Sequence, residues 1–216
     1  MQHYKLIIFD WDGTLMNSVA RIVSSMQLAA EQLALAKPSE KAVKDIIGLS
    51  LPKVYQQLFP NITARQVVQL NESYRRYYVE LDTTPSPLFS GVTNLLELLI
   101  SQGKQLAVAT GKGRAGLDRV LLETKTSHYF TASRCADECR SKPAPDMVHS
   151  LLRELDIPAE HTVVIGDSHY DLLMAKNAGV DSIAVSYGVQ EKSALLQQQP
   201  KMLVDSIAEL TDLFSM

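Results

Sequence analysis

Short apolar runs alternate with amphipathic stretches along most of the chain. Lys5–Phe9, Leu106–Ala109, Thr162–Ile165 and Ser182–Val185 are four- or five-residue runs dominated by Ile, Val, Leu and Ala. Each reads as a strand buried on both faces. Tyr129–Ala132 and Met202–Val204 are weaker runs of the same kind. Val92–Ser101, Ala115–Glu123, Pro145–Leu155, Tyr170–Ala178 and Asp205–Phe214 carry apolar residues at helical spacing. Strands and helices that alternate with short links predict an α/β fold built on a doubly wound parallel sheet.

One stretch breaks the rhythm. Between about Asn17 and Asp82 no run reads as a strand. Ser18–Leu35 and Thr63–Leu81 have helical spacing, and Glu40–Ile47 and Leu51–Leu58 have it less cleanly. Thr63 followed by Gln66 has the form of a capping box. Thr83-Thr84-Pro85-Ser86-Pro87 reads as a linker, because neither proline fits a helix interior. The pattern therefore predicts an α/β core over residues 1–16 and 84–216, interrupted by an all-helical insert over 17–83.

Composition narrows the class. A chain of 216 residues can build one core with a small accessory domain. The formal charge of −3, with no dense Lys/Arg run, argues against a nucleic-acid partner. The apolar runs are too short to span a bilayer, and no secretory signal is read at the start, so a cytoplasmic protein without a membrane partner is expected. Cys135 and Cys139 have no neighbouring Cys/His pair and read as reduced thiols rather than a zinc site.

The candidate chemistry lies just after strands or at helix starts. Asp10 and Asp12 follow the first strand, and Gly13 permits a tight bend behind them. Two carboxylates so close repel one another and call for a cation or for separate catalytic tasks. Thr110-Gly111-Lys112 follows the second strong strand and can form an anion-binding turn, although Thr110 alone fits the role of a helix N-cap. The same segment, Gly111 to Gly116, matches G-x-G-x-x-G, but Lys112 and Arg114 crowd a loop that a dinucleotide needs small. Lys142 stands beside Pro143 and Pro145, which fix the backbone that presents its ammonium group. Asp167 ends the third strong strand as Asp10 ends the first, and Asp171 sits near a helix N-terminus, where the dipole favours an anion. In a parallel sheet all of these reach one edge. Carboxylates, a lysine and an anion-binding turn suit a hard divalent cation such as Mg²⁺ beside a phosphate.

With these residues in order, the chain closely resembles the haloacid dehalogenase-like hydrolase superfamily. The match runs through Asp10-Trp11-Asp12-Gly13-Thr14-Leu15, Thr110-Gly111-Lys112, Lys142-Pro143 and Gly166-Asp167-Ser168-His169-Tyr170-Asp171. Within the superfamily it is similar to the phosphoglycolate phosphatase group. The resemblance implies a Rossmann-like core with a helical cap, and a phosphatase working through an aspartyl-phosphate. It implies Asp10 as nucleophile and Asp12 as general acid and base. It gives Mg²⁺ to Asp10, the backbone carbonyl of Asp12 and Asp167, and the phosphoryl oxygens to Thr110, Gly111 and Lys142. Asp171 would support Lys142 or a metal-bound water. An acidic Asp12 sets the chain apart from the dehalogenases and phosphonatases of the superfamily. A sugar phosphomutase keeps both aspartates, and a non-catalytic phospho-ligand regulator is the reading from another class.

The implied partner is a small phosphorylated metabolite, and the expected state is a monomer or weak homodimer. Gly48-Leu49-Ser50 is either the specificity loop of the cap or an ordinary turn between helices. Tyr74, Arg75, Arg76, Tyr77 and Tyr78 read as the mixed face of one helix, Trp11 as packing near the cap junction, and His169 as a solvated helix-start histidine.

Overall fold

The computed structural model describes residues 1–215. Six parallel strands form one sheet in the order β3-β2-β1-β4-β5-β6. They are β1 (Leu6–Phe9), β2 (Gln105–Ala109), β3 (Ala132–Arg134), β4 (Thr162–Gly166), β5 (Asp181–Val185) and β6 (Met202–Val204). β1 is central, and its register sets Phe9 beside Val108 of β2 and Ile165 of β4. Strand order reverses at β1, so the carboxyl end of this strand faces the crevice where doubly wound sheets hold ligands.

Successive side chains of one strand enter opposite layers. Ile7, Phe9, Val108, Val163 and Ile165 pack on one face against α5 (Val92–Ser101), α6 (Arg114–Glu123) and α10 (Ile207–Ser215). Leu6, Ile8, Ala107 and Val164 pack on the other against α7 (Asp146–Leu155) and α8 (His169–Ala178). This two-sided burial is the reason the strands are continuous apolar runs. A short α9 (Lys192–Leu196), missed in the sequence pattern, adds Leu195 to a small cluster with Leu172 and Ala184.

Between β1 and α5 lie α1 (Val19–Gln32), α2 (Glu40–Lys44), α3 (Leu51–Leu58) and α4 (Ala64–Arg76). A π-helical turn, Tyr77–Leu81, continues α4. These helices share an apolar cluster that includes Met26, Ala30, Ile47, Val54, Tyr55, Leu70 and Tyr74. Thr63 and Gln66 form the capping box of α4. Where the chain leaves and re-enters the α/β unit, its two ends are tied together: Asn17 N–H donates to Pro87 O (2.8 Å) and Phe89 N–H to Leu15 O (3.0 Å).

One expectation changes. The run at Tyr129–Ala132 overlaps the strand only at Ala132; Ser127–Tyr129 makes a 3₁₀ turn, and the edge strand begins three residues later, at Ala132–Arg134. An edge strand is only half-buried, so its apolar pattern is weak. Trp11 lies where expected, beside the junction with the insert: it packs within the sheet cluster, edge-on to Phe130, and its ring N–H meets Met16 Sδ at 3.1 Å, next to the Met16–Leu88 bridge. Among the described residues, no helix is long and apolar enough to cross a membrane.

Candidate active site

The carboxyl ends of β1, β2 and β4 bring Asp10, Asp12, Thr110 and Asp167 to one edge, and the loops before α7 and at the start of α8 add Lys142 and Asp171. All six are buried. Asp10 N–H donates to Ile165 O (2.9 Å), which extends the β1–β4 pairing by one residue and fixes where its carboxylate emerges. Gly13 turns the chain back with φ of 84°, and a Cβ there would lie 2.1 Å from Asp167 Oδ2. Only glycine meets both demands.

Lys142, fully buried, is the hub of the cluster. Its ammonium donates to Asp10 Oδ1 and to Asp171 Oδ1, each at 2.6 Å. The second oxygen of Asp171 accepts from the backbone N–H (3.1 Å) and hydroxyl (2.6 Å) of Ser168 in the capping box that starts α8. Asp167 accepts from Thr14 Oγ1 (3.0 Å) and Val189 N–H (2.7 Å). Asp12 has separate partners: Ser18 Oγ donates to Oδ1 (2.5 Å), and Lys112 Nζ lies 2.9 Å from Oδ2.

Burial raises the Asp10 carboxyl to about 7, with Lys142 opposing and Asp171 adding to the rise. Burial, together with Asp10 and Asp171, raises Asp167 well above the carboxylate range. Burial pulls Lys142 down, but Asp10 and Asp171 more than offset it and the ammonium is held above its ordinary value. Four buried carboxylates (Asp10, Asp12, Asp167, Asp171) face two ammonium groups (Lys112, Lys142). When all are ionised, 4 − 2 leaves two negative charges in a low-dielectric site, and this deficit suits a divalent cation. Ligand oxygens of Asp10, Asp167 and Asp171 lie within 4.8 Å of one another. Asp171 has one oxygen on the Lys142 ammonium and the other on Ser168, whereas Asp167 meets no cation among the described residues and Asp10 gives Lys142 only Oδ1, so Asp10 and Asp167 are the better-placed metal ligands. An all-oxygen donor set fits Mg²⁺.

Thr110 is not a helix cap. The N-cap of α6 is Gly113, and Thr110 is buried with its Oγ1 accepting from Lys112 N–H (3.2 Å). The G-x-G-x-x-G match is occupied by the protein itself: Arg114 N–H, at the start of α6, donates to both oxygens of Asp137 (3.0 and 3.1 Å).

The helical insert reaches the same edge. Gly48, Leu49 and Ser50 line a cavity of about 560 Å³ together with Asp10, Asp12, Thr110 and Gly111. A Cβ at Gly111 would stand 2.6 Å from Gly48 O and 2.8 Å from Leu49 O, so the two backbones touch. Ser50 N–H donates to Ser141 Oγ (2.9 Å) across the same junction. Tyr74, Arg75 and Tyr78 also line the cavity, which corrects their reading as a mere mixed helix face. Lys112 joins the two parts, meeting Asp12 on one side and the Tyr78 hydroxyl (3.3 Å) and ring on the other. The Lys112 link carries no sequence signal, because it pairs residues from separate segments, whereas Ser18 lies only six residues from Asp12 and reads as the start of α1. His169 is half-buried rather than solvated, with its backbone N–H on Gln190 Oε1 (2.8 Å) and its ring against Gln190. Cys135 and Cys139 are free; burial pushes the Cys135 thiol up to about 12, out of the reactive range.

Paired aspartates, a buried lysine and the Thr110–Gly111 turn at the switch point of a parallel sheet are the makings of an enzyme's active site. A sequence model described as haloacid dehalogenase-like hydrolase matches residues 7–185. The chain is 34% identical over 209 residues to a Dickeya dadantii (strain 3937) protein named "Probable phosphatase IndB", covering 95% of this chain and 91% of that one. It is 29% identical to the phosphoglycolate phosphatase of Mannheimia succiniciproducens, covering 96% of each. A crystal structure described as a predicted phosphoglycolate phosphatase from Haemophilus somnus superposes with a TM-score of 0.90 at 26% identity, covering 99% of each chain. The chain belongs to the haloacid dehalogenase-like hydrolase family.

Proposed function

We propose that this enzyme is a Mg²⁺-dependent phosphatase that hydrolyses a small soluble phosphate monoester through an aspartyl-phosphate on Asp10. The enzyme class, a phosphoric monoester hydrolase, agrees with the phosphatase names of its relatives. One observation carries the assignment of roles. The two aspartates of the first motif have different surroundings: Asp10 is held by Lys142, and Asp12 by Ser18 and Lys112. Carboxylates in different environments can divide nucleophilic and acid–base tasks.

In the first step a carboxylate oxygen of Asp10 attacks phosphorus, the phosphorus–oxygen bond to the alcohol breaks, and Asp12 gives its proton to the leaving oxygen. In the second, Asp12 takes a proton from water as the water oxygen attacks phosphorus. Inorganic phosphate leaves and the Asp10 carboxylate is restored. Thr110, the backbone of Gly111 and Lys142 hold the phosphoryl oxygens. Lys142 also holds Asp10 in line, and Asp171 keeps Lys142 in place. Asp10, the Asp12 carbonyl and Asp167 would hold Mg²⁺, which when bound offsets negative charge between the carboxylates and the phosphoryl group. Residues 17–83 act as a cap that covers the leaving group, with Gly48-Leu49-Ser50 at its specificity edge. The enzyme works in the cytoplasm as a monomer or weak homodimer, without a nucleic-acid or membrane partner.

The test is phosphate release from a panel of esters with Mg²⁺ and with EDTA. Release that needs Mg²⁺ and is lost in Asp10→Asn supports the reading; undiminished release by that variant rejects it. A hexose phosphate that is isomerised without free phosphate would mark a phosphomutase. Tight binding without turnover would mark a regulator.

A further inference from the structure

We infer that the substrate is the phosphate ester of a bulky, largely apolar alcohol bearing an aromatic ring system, rather than of a short hydroxy acid. The inference rests on the phosphatase reading above and narrows its substrate class.

The size of the cavity is the first ground. Its volume is about 560 Å³, within the roughly 300–1,000 Å³ typical of sites for drug-sized ligands. Phosphoglycolate has nine heavy atoms. Even at the ~30 Å³ share of a liquid water for each, it fills only about 270 Å³. The space is not left by a withdrawn insert. The Gly48 and Leu49 carbonyls already rest on Gly111, Ser50 is bonded to Ser141, and Lys112 spans from Asp12 to Tyr78.

The chemistry of the wall is the second ground. Phosphoryl-side groups are confined to the floor, at Asp10, Asp12, Thr110 and Gly111. The insert contributes Ile22, Met26, Ile47, Val54, Tyr74 and Tyr78. Tyr74 and Tyr78, their rings 5.8 Å apart and tilted, add aromatic carbon to this wall, and Lys112 Nζ stands over the Tyr78 ring at 4.8 Å. Two of the three lining cations already have anionic partners. Lys112 is paired with Asp12, and Arg119 Nη1 with both oxygens of Glu123 at 2.7 and 2.8 Å. Arg75 has no ion-pair partner among the described residues, but it is solvent-exposed. The carboxylate of a short hydroxy acid, held close to the reacting phosphorus, would be desolvated against Ile, Val and Met, with the nearby Lys112 already shared with Asp12 and Arg75 at the exposed rim. A ring system meets the same wall without that penalty.

The experiment measures phosphate release by the full chain with Mg²⁺. The substrates are 2-phosphoglycolate, glycerol 3-phosphate, glucose 6-phosphate, p-nitrophenyl phosphate, purine and pyrimidine nucleoside 5′-monophosphates, and flavin mononucleotide. Ring-bearing esters are expected to exceed phosphoglycolate in kcat/KM by at least about 50-fold, mainly through KM. Phosphoglycolate or glucose 6-phosphate as the best substrate overturns the inference while leaving the phosphatase reading intact. If no ester is hydrolysed, the phosphatase reading fails, and calorimetry with the product alcohols decides the inference alone. Riboflavin or nucleosides should bind and glycolate should not; the reverse overturns it. Val79 lines the cavity and is 47% exposed, so Val79→Trp can fold while reducing the space. It should raise KM for the preferred ring-bearing ester about tenfold and leave glycerol 3-phosphate within threefold. An equal change in both, at an unchanged unfolding midpoint, counts against the proposal.

Discussion

The α/β unit encloses charge within an apolar frame, whereas the helical insert presents an apolar wall and keeps its charge outside. At the strand ends, Asp10, Asp167, Asp171 and Lys142 are each no more than 3% exposed, and Lys142 holds Asp10 and Asp171 in short bonds. In the insert, charged pairs such as Lys41–Asp45 and Lys44–Glu40 lie on the solvent side, while Met26, Ile47, Val54 and Tyr74 face inward. The contrast separates two tasks. A rigid sheet can fix several ionised groups within hydrogen-bond reach, because every strand end is positioned by its neighbours. A helical layer docked through few contacts can change its lining without disturbing that geometry.

The comparison can be broken at either side. The largest effect is expected from Asp10→Asn, which removes the proposed nucleophile and should lower kcat by at least about 10⁴-fold in the phosphate-release assay. Its fold should be intact by circular dichroism. Next, Lys142→Met leaves Asp10 and Asp171 buried without their cation. It should cost about 3–5 kcal/mol in urea unfolding without metal, a loss that Mg²⁺ partly restores. Leu70, fully buried in the insert, gives the apolar counterpart. Leu70→Ala should cost about 2–4 kcal/mol by the same measurement, with no dependence on metal. If Mg²⁺ rescues both variants alike, the contrast between the two regions fails.

Smaller effects test the junction. Gly111→Ala places a Cβ 2.6 Å from Gly48 O, so the insert must shift. A roughly tenfold fall in kcat/KM is expected, equivalent to about 1.4 kcal/mol, with the unfolding midpoint little changed. Leu122 is 75% exposed on α6 and belongs to neither task. Leu122→Gln should change stability by less than about 0.5 kcal/mol and leave kinetics unaltered.

Strands buried on both faces were the most legible part of the chain. β1, β2, β4 and β5 match their apolar runs to within a residue at each end, and β6 matches Met202–Val204. Helix starts with local signatures were legible as well, as at the Thr63 capping box. The edge strand β3 was displaced by three residues and α9 was missed, because neither buries enough surface to impose a clear pattern. In the site, Asp10, Asp12, Thr110, Lys142, Asp167 and Asp171 stood out as polar residues at strand ends or helix starts. The link that Lys112 makes between Asp12 and Tyr78 did not stand out, since it joins partners distant in sequence.

By itself, then, the sequence determined the period of each element, the interruption by a helical insert and the set of acidic residues that follow the strands. These are local properties, written in side-chain polarity over a few neighbouring positions. Only the tertiary structure decided which carboxylate Lys142 holds, how Lys112 links Asp12 to Tyr78, and that a wide apolar cavity covers the floor of the site. Those depend on distances between segments more than a hundred residues apart in some cases, and on the packing that closes one layer over the other.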